Sequence, residues 1–133
     1  MTLAYALEVR AFDAPFLGIP AEARHSGRAE GPGGEFVEIF LDVRDGTVRE
    51  AGFLTNVPGD GLLCASFWCE AAQGSRVQDA LGLEAEHVLA CFPPDHPPPA
   101  ASARLAARAG RRAALEARGR GAARDEPGRT PTE

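Results

Sequence analysis

Lysine is absent from the chain, so all 14 basic residues are arginine, against 19 acidic residues and a formal charge of −5. A strongly basic surface is therefore excluded, and with it a general binder of nucleic acid or of anionic membrane. Long apolar runs are lacking as well. No stretch free of charge exceeds the nine residues of Gly61–Cys69, far short of the roughly 20 residues that span a bilayer. The start, Met1-Thr2-Leu3-Ala4-Tyr5-Ala6-Leu7-Glu8, has neither the basic opening nor the apolar core of an export signal. Cysteine is scarce and odd in number, at three, which fits reduced thiols in a cytoplasmic protein. At 133 residues the chain is long enough for one domain.

What charge there is lies unevenly. Residues 1–98 hold 6 Arg against 15 acids, whereas residues 99–133 hold 8 Arg against 4. The end of the chain, 119–133, has no large apolar side chain and reads as a disordered tail, leaving 1–118 as the domain.

Thr2 to Ala14 reads as a short helix ending before Pro15. Pro15 to Gly34, rich in Gly, Pro and Ala, reads as loop. From Phe36 to Val43 the apolar residues alternate, placing Val37, Ile39, Leu41 and Val43 on one face of a strand. Asp45-Gly46 supplies the positive φ angles of a tight hairpin, and a second strand runs from about Thr47 to Leu54. A two-stranded ribbon is marginal alone and requires a third strand or a covering helix. Asp60 is placed to cap a helix over Gly61–Gln73, with Leu63, Phe67 and Ala71 on one face and Gly74 at its end. Short helices follow near 76–81 and 83–90. Five prolines between Pro93 and Pro99 impose an extended crossing, and the Ala/Arg pattern from Ala100 predicts a last helix to about Arg118, with Gly110 its weak point. The order implies an α+β fold with a small antiparallel sheet covered by helices.

No catalytic constellation emerges from the pattern, and the chain reads as a non-enzyme. Cys64 and Cys69 stand five apart on one helix, some 140° around it, and with Cys91 they read as small buried apolar residues. No C-x-x-C or H-x-x-x-H spacing marks a metal site. His96, beside Asp95, reads as a solvated loop histidine. Ser66 has no histidine near it in sequence to serve as base. Arg104, Arg108, Arg111 and Arg112 form a stripe that reads as an outer face, with Ala106, Ala109 and Ala113 turned inward.

Taken as a string, residues Tyr5 to about Arg118 resemble the NifU/IscU-type iron–sulfur cluster assembly scaffolds. The resemblance is carried by Phe12-Asp13-Ala14-Pro15-Phe16-Leu17-Gly18, by the hairpin Val43 to Thr55 around Asp45-Gly46, by Glu70 and Gly74 followed by Gln78-Asp79-Ala80, and by Pro93-Pro94 before the last helix. It implies a scaffold for cluster assembly whose three cysteine thiolates, with an aspartate, hold iron. Carried over position by position, the first cysteine corresponds to Gly33, the aspartate to Glu35, the second cysteine to Pro58 and the third to Pro99. The family's thiolates are missing, so iron or a cluster is not expected to be held in the usual way. The candidate non-standard ligands are Glu35, Cys64, Cys91 and His96. The family's chaperone-recognition segment corresponds to Phe92-Pro93-Pro94-Asp95-His96, which makes Phe92, Pro93 and Pro94 the candidate partner contacts. A cysteine desulfurase, or another cluster-assembly protein, is the partner the resemblance implies. The alternative within the same fold is a non-catalytic adaptor.

Overall fold

The computed structural model of the chain describes Arg10 and residues 14–125, the side chains of 121–125 excepted. The helix expected over Thr2–Ala14 falls almost wholly outside the described residues, as does the tail beyond 125.

Three antiparallel strands form the sheet, β1 (His25–Glu30), β2 (Phe36–Arg44) and β3 (Thr47–Thr55), in the order β1-β2-β3. The hairpin lies where Asp45-Gly46 places it, with φ of 53° and 75° at those two residues, the double left-handed geometry that matches strand twist. A register shift falls between Asp42 and Val43, next to the turn. The helices are α1 (Asp60–Ala72), α2 (Val77–Ala80), α3 (Ala85–Leu89) and α4 (Ala100–Asp125). The fold is α+β, one face of the sheet covered by helices.

Strand β1 occupies a segment whose composition reads as loop, and the reason lies in what covers it. Its inward residues are Gly27 and Ala29, and a Cβ on Gly27 would run into the backbone of α4 at Ala109 and Ala113. Small residues are required where the helix axis lies almost on the strand, so β1 carries no large apolar signal. At the other edge, Phe16 and Gly18 bond the backbone of Phe53, with Phe53 N–H donating to Phe16 O at 3.0 Å and Gly18 N–H to Phe53 O at 2.8 Å. This parallel bridge lengthens the sheet by one short rung.

Helix α1 differs from its expected orientation. Its buried residues are Leu63, Cys64, Ala65, Ser66, Trp68, Cys69 and Ala72, whereas Phe67 is half-buried and Ala71 exposed. The residue at the cap is Gly59, with φ 60° and no side-chain cap bond, and Asp60 sits inside the first turn. There its charge still opposes the partial positive charge of the helix N-terminus. Helix α4 continues to Asp125, past the expected end at Arg118. Its alanines at 106, 109 and 113 are fully buried, as their spacing implies.

Trp68 is fully buried, and its ring lies against Gly110 so closely that a Cβ there would overlap Cε2 and Cζ2 of the indole. The glycine that weakens α4 by propensity is therefore the seat of the largest core side chain. Gly119, on the same helix, has open space around it. Gly119→Ala should therefore stabilise the fold by about 0.5–1 kcal/mol. The same change at Gly110 should destabilise it by ~1–2 kcal/mol, since overpacking of about 1–3 kcal/mol outweighs the helix gain. Urea unfolding midpoints of the two variants measure this opposition in sign.

Candidate functional site

The loop between β1 and β2 carries Gly33 and Glu35, and the segment after β3 carries Pro58. Two residues at the end of β3 fasten these loops together. Asn56 accepts the Phe36 N–H at 2.9 Å and donates to Gly34 O at 3.0 Å. Thr55 Oγ1 donates to Phe36 O at 2.5 Å and accepts the Val57 N–H at 3.1 Å. Within the loop, Gly31 N–H donates to Glu35 O at 2.8 Å, and Gly33 N–H donates to the Glu35 carboxylate at 2.7 Å. The carboxylate is thus used in closing its own turn. Pro99 stands just before α4, its carbonyl accepting the Ala103 N–H at 2.9 Å.

These three segments border one cavity of about 780 Å³, whose lining includes Pro32 and Glu35, Val57, and Ala101 with Ser102. The rest of the lining includes Leu81, Leu83 and Glu84 from the turn between α2 and α3, and Arg104, Arg108 and Arg111 further along α4. Of the positions carried over from the resemblance, Glu35 lines this space itself, whereas Gly33, Pro58 and Pro99 are represented only by residues near them in the chain. None of the three cysteine positions has a donor side chain: Gly33, Pro58 and Pro99 offer hydrogen or a pyrrolidine ring. The residues present do not fit an iron–sulfur cluster, which calls for soft thiolates or imidazoles.

The other candidates lie elsewhere. His96 is not a free loop histidine. Its Nε2 is 3.1 and 3.2 Å from the two carboxylate oxygens of Asp60, and its ring stacks on Phe92 at a centroid distance of 5.0 Å. The aspartate it pairs with is thus the one in the first turn of α1, not its neighbour Asp95. Phe92 is itself buried and meets Phe67 edge-on at 5.3 Å. Of the candidate partner contacts Phe92, Pro93 and Pro94, only the prolines offer surface. Arg10 lies over Phe67 at 4.2 Å, pairs with Glu70 at 2.8 Å and donates to Ser66 Oγ at 2.7 Å. That hydroxyl in turn donates to Pro15 O at 2.8 Å. Ser66 is a structural link between α1 and the preceding segment.

All three cysteines are free. Cys64 and Cys69 are buried, as expected, but Cys91 is exposed, with its thiol 3.5 Å from His87 O. Burial pushes the Cys64 thiol up to about 12, and the Asp60 carboxylate and Cys91 add to the rise. Burial alone raises Cys69 strongly. Cys91 is raised as well, first by partial burial and then by Glu70, against a lowering by Arg10. A thiol that resists ionisation is a poor metal ligand and a poor nucleophile. Among the described residues, no three His, Cys, Asp or Glu side chains converge as a metal ion requires, so Glu35, Cys64, Cys91 and His96 do not assemble into one site. No described helix is long and apolar enough to cross a membrane.

What the residue pattern alone missed is the pairing of Asp60 with His96 across 36 positions and the cavity beneath the arginine stripe. The separation of the first leaves no local trace. The spacing of Arg104, Arg108 and Arg111 was visible as a helical face, without its opposite wall.

No family model and no curated protein matches this chain. Solved structures do. One is the crystal structure of a protein from the thermophile Fervidobacterium islandicum named as a candidate iron–sulfur cluster assembly scaffold for the SUF system. It is similar with a TM-score of 0.52 and 13% identity over 65% of this chain and 66% of that one, just under two thirds of its length. A hypothetical protein solved at 2.3 Å is similar over 86% of this chain and 90% of its own, with TM-score 0.53 and 14% identity. The N-terminal part of a NifU-like nitrogen-fixing protein from Brucella abortus gives a TM-score of 0.49 and 17% identity over 87% of this chain and 79% of that one. At such identities the likeness is one of fold.

The thiols give a direct check of the packing around α1. At pH 8 a thiol-specific reagent should label Cys91 alone in the folded protein and all three cysteines in urea, with Cys91→Ala leaving the native protein unlabelled. For a thiol raised from 9.0 to about 12, the neutral form is favoured by the fold. Its contribution to stability is complete below pH 9 and is lost as pH rises from there toward 12. Unfolding midpoints should therefore fall with rising alkalinity, and less steeply in Cys64→Ala measured against its own value at pH 8.

Proposed function

We propose that this chain works in iron–sulfur cluster assembly as a scaffold-fold protein that does not carry a cluster on thiolates, and that it acts there as a non-catalytic adaptor. The client we infer is a cysteine desulfurase or another assembly protein, met in the cytoplasm, where three unpaired thiols remain reduced. The fold-level likeness to a protein named as an assembly scaffold supports the setting.

One observation carries the departure from a cluster carrier. The three loops that correspond to the family's ligand segments border one cavity, and each has lost its sulfur donor, to Gly33, Pro58 and Pro99. Iron bound by Cys thiolates gains from a soft anionic donor already deprotonated. The thiols this chain does have are held protonated by burial, Cys64 and Cys69 above all. The lone carboxylate at the site, Glu35, is engaged with the Gly33 N–H. A partner-binding role needs none of these ligands, only a rigid fold and an accessible surface.

Anaerobic reconstitution with ferrous iron, cysteine and a desulfurase, followed by gel filtration, separates the readings. The expected result is protein without bound iron or sulfide, together with retention of the desulfurase in a pull-down. Stoichiometric iron and sulfide surviving the column would overturn the proposal, and loss of that cluster in Cys64→Ala or Cys91→Ala would assign the thiols that hold it. Failure to retain any desulfurase or other assembly protein would overturn the adaptor role.

A further inference from the structure

The cavity is lined by charged groups of both signs, set apart from one another. One wall is the arginine series Arg104, Arg108 and Arg111 of α4, set at i, i+4 and i+7 and so stacked along a single face. Like charges at this spacing destabilise a helix by a few tenths of a kcal/mol per pair unless compensated. Among the described residues no carboxylate lies within ion-pair distance of any of the three: every ion pair of the described residues belongs to other side chains. Arg111 has one partner among the described residues, the carbonyl of Leu81 at 3.2 Å. Arg104 and Arg108 are exposed and make no side-chain hydrogen bond to any described residue.

The lining also holds three carboxylates, Glu35, Glu84 and Glu86, which keep their charge but stand apart from the guanidiniums. Glu35 takes the Gly33 N–H, and at the start of α3 the Glu84 N–H donates to His87 Nδ1 at 3.0 Å. Glu86 stands in the first turn of that helix, on the far lip. Between the two lips the floor is apolar, made of Leu81, Leu83, Leu105 and Val57. A cavity of about 780 Å³ falls inside the range that small-molecule sites occupy, roughly 300–1,000 Å³.

We propose that this cavity binds a small organic anion, a carboxylate or phosphate head held by Arg104 and Arg108 with Arg111 behind them, whose apolar body lies on Leu83, Leu105 and Val57. The inference is independent of the adaptor reading, since it uses α4 and the α2–α3 turn and asks nothing of a protein partner. It assigns a use to the space that the family's ligand segments enclose and in which this chain has no thiolate.

Decanoate below its micellar concentration serves as the probe, titrated by calorimetry and by backbone amide shifts. With about 12 heavy atoms at ~0.3 kcal/mol each, a saturable Kd near 1 mM is expected, with the shifts centred on 81–86 and 101–111. Arg104→Ala/Arg108→Ala should weaken binding about tenfold, equivalent to ~1.4 kcal/mol. Arg49→Ala, on exposed β3 surface, should leave it unchanged. Decyltrimethylammonium, with the same tail and the opposite charge, should not bind. Inorganic phosphate should bind more weakly than decanoate if the floor contributes, and phosphate as tight as decanoate would overturn the apolar half of the proposal. No saturable binding of decanoate, binding indifferent to the double arginine variant, or equal binding of the cationic amphiphile would each overturn the site.

Discussion

The close seating of α4 on the sheet and on α1 is the constraint from which the rest of the architecture follows. Gly27 lets the helix backbone approach β1 at Ala109 and Ala113, and Gly110 lets the indole of Trp68 press against the helix from the other side. Two glycines, on different elements, thus remove the side chains that would hold the layers apart. Helices packed through larger residues stand about 8–10 Å from their neighbours, whereas alanine and glycine faces permit closer contact and stronger dispersion per atom. Once the alanine face is fixed inward, the rotation of α4 is fixed too, and its arginines at 104, 108 and 111 have no choice but the outer wall and the cavity rim.

The same economy closes the loops at the end of the sheet. In many small metal-binding folds the ligand bonds close the loops, and the free energy of binding is also that of folding. Here Thr55 and Asn56 close them with backbone hydrogen bonds, and Glu35 completes its own turn. The loops stay together because their carbonyls and N–H groups are satisfied locally. A glycine and two prolines at the ligand positions cost this arrangement nothing, since each sits in a loop or ahead of a helix, where its backbone is tolerated.

How much of this was legible in the sequence depended on whether a residue's role is local. The β2–β3 hairpin was readable because alternation and Asp45-Gly46 are neighbours in the chain. The buried alanines of α4 were readable because helical period alone sorts them from the arginines. Strand β1 was not, since Gly27 and Ala29 are small for the sake of a helix some 80 residues away. Asp60 was read as a cap because capping is the common local use of an aspartate before a helix, and its actual partner, His96, comes from within the proline crossing. Gly110 was read as a defect for the same reason: its benefit lies in Trp68, out of sight of the local pattern. Of the candidate site, the ligand-position loops were placed by resemblance, while the cavity they border needed the opposite wall.

Charge and packing are divided on α4 by its period of 3.6 residues, and this division separates the consequences of changing either. Alanines at 103, 106, 109 and 113 are fully buried and set the stability of the layers. Arginines at 104, 108 and 111 are exposed and set the electrostatic character of the cavity in a protein otherwise acidic over residues 1–98. Exposed and without a carboxylate partner among the described residues, these guanidiniums are the cationic part of a lining that also holds Glu35, Glu84 and Glu86. Placing the stripe on the wall of the cavity, where the floor is already apolar, gives one ligand class both a direction of approach and a surface to rest on.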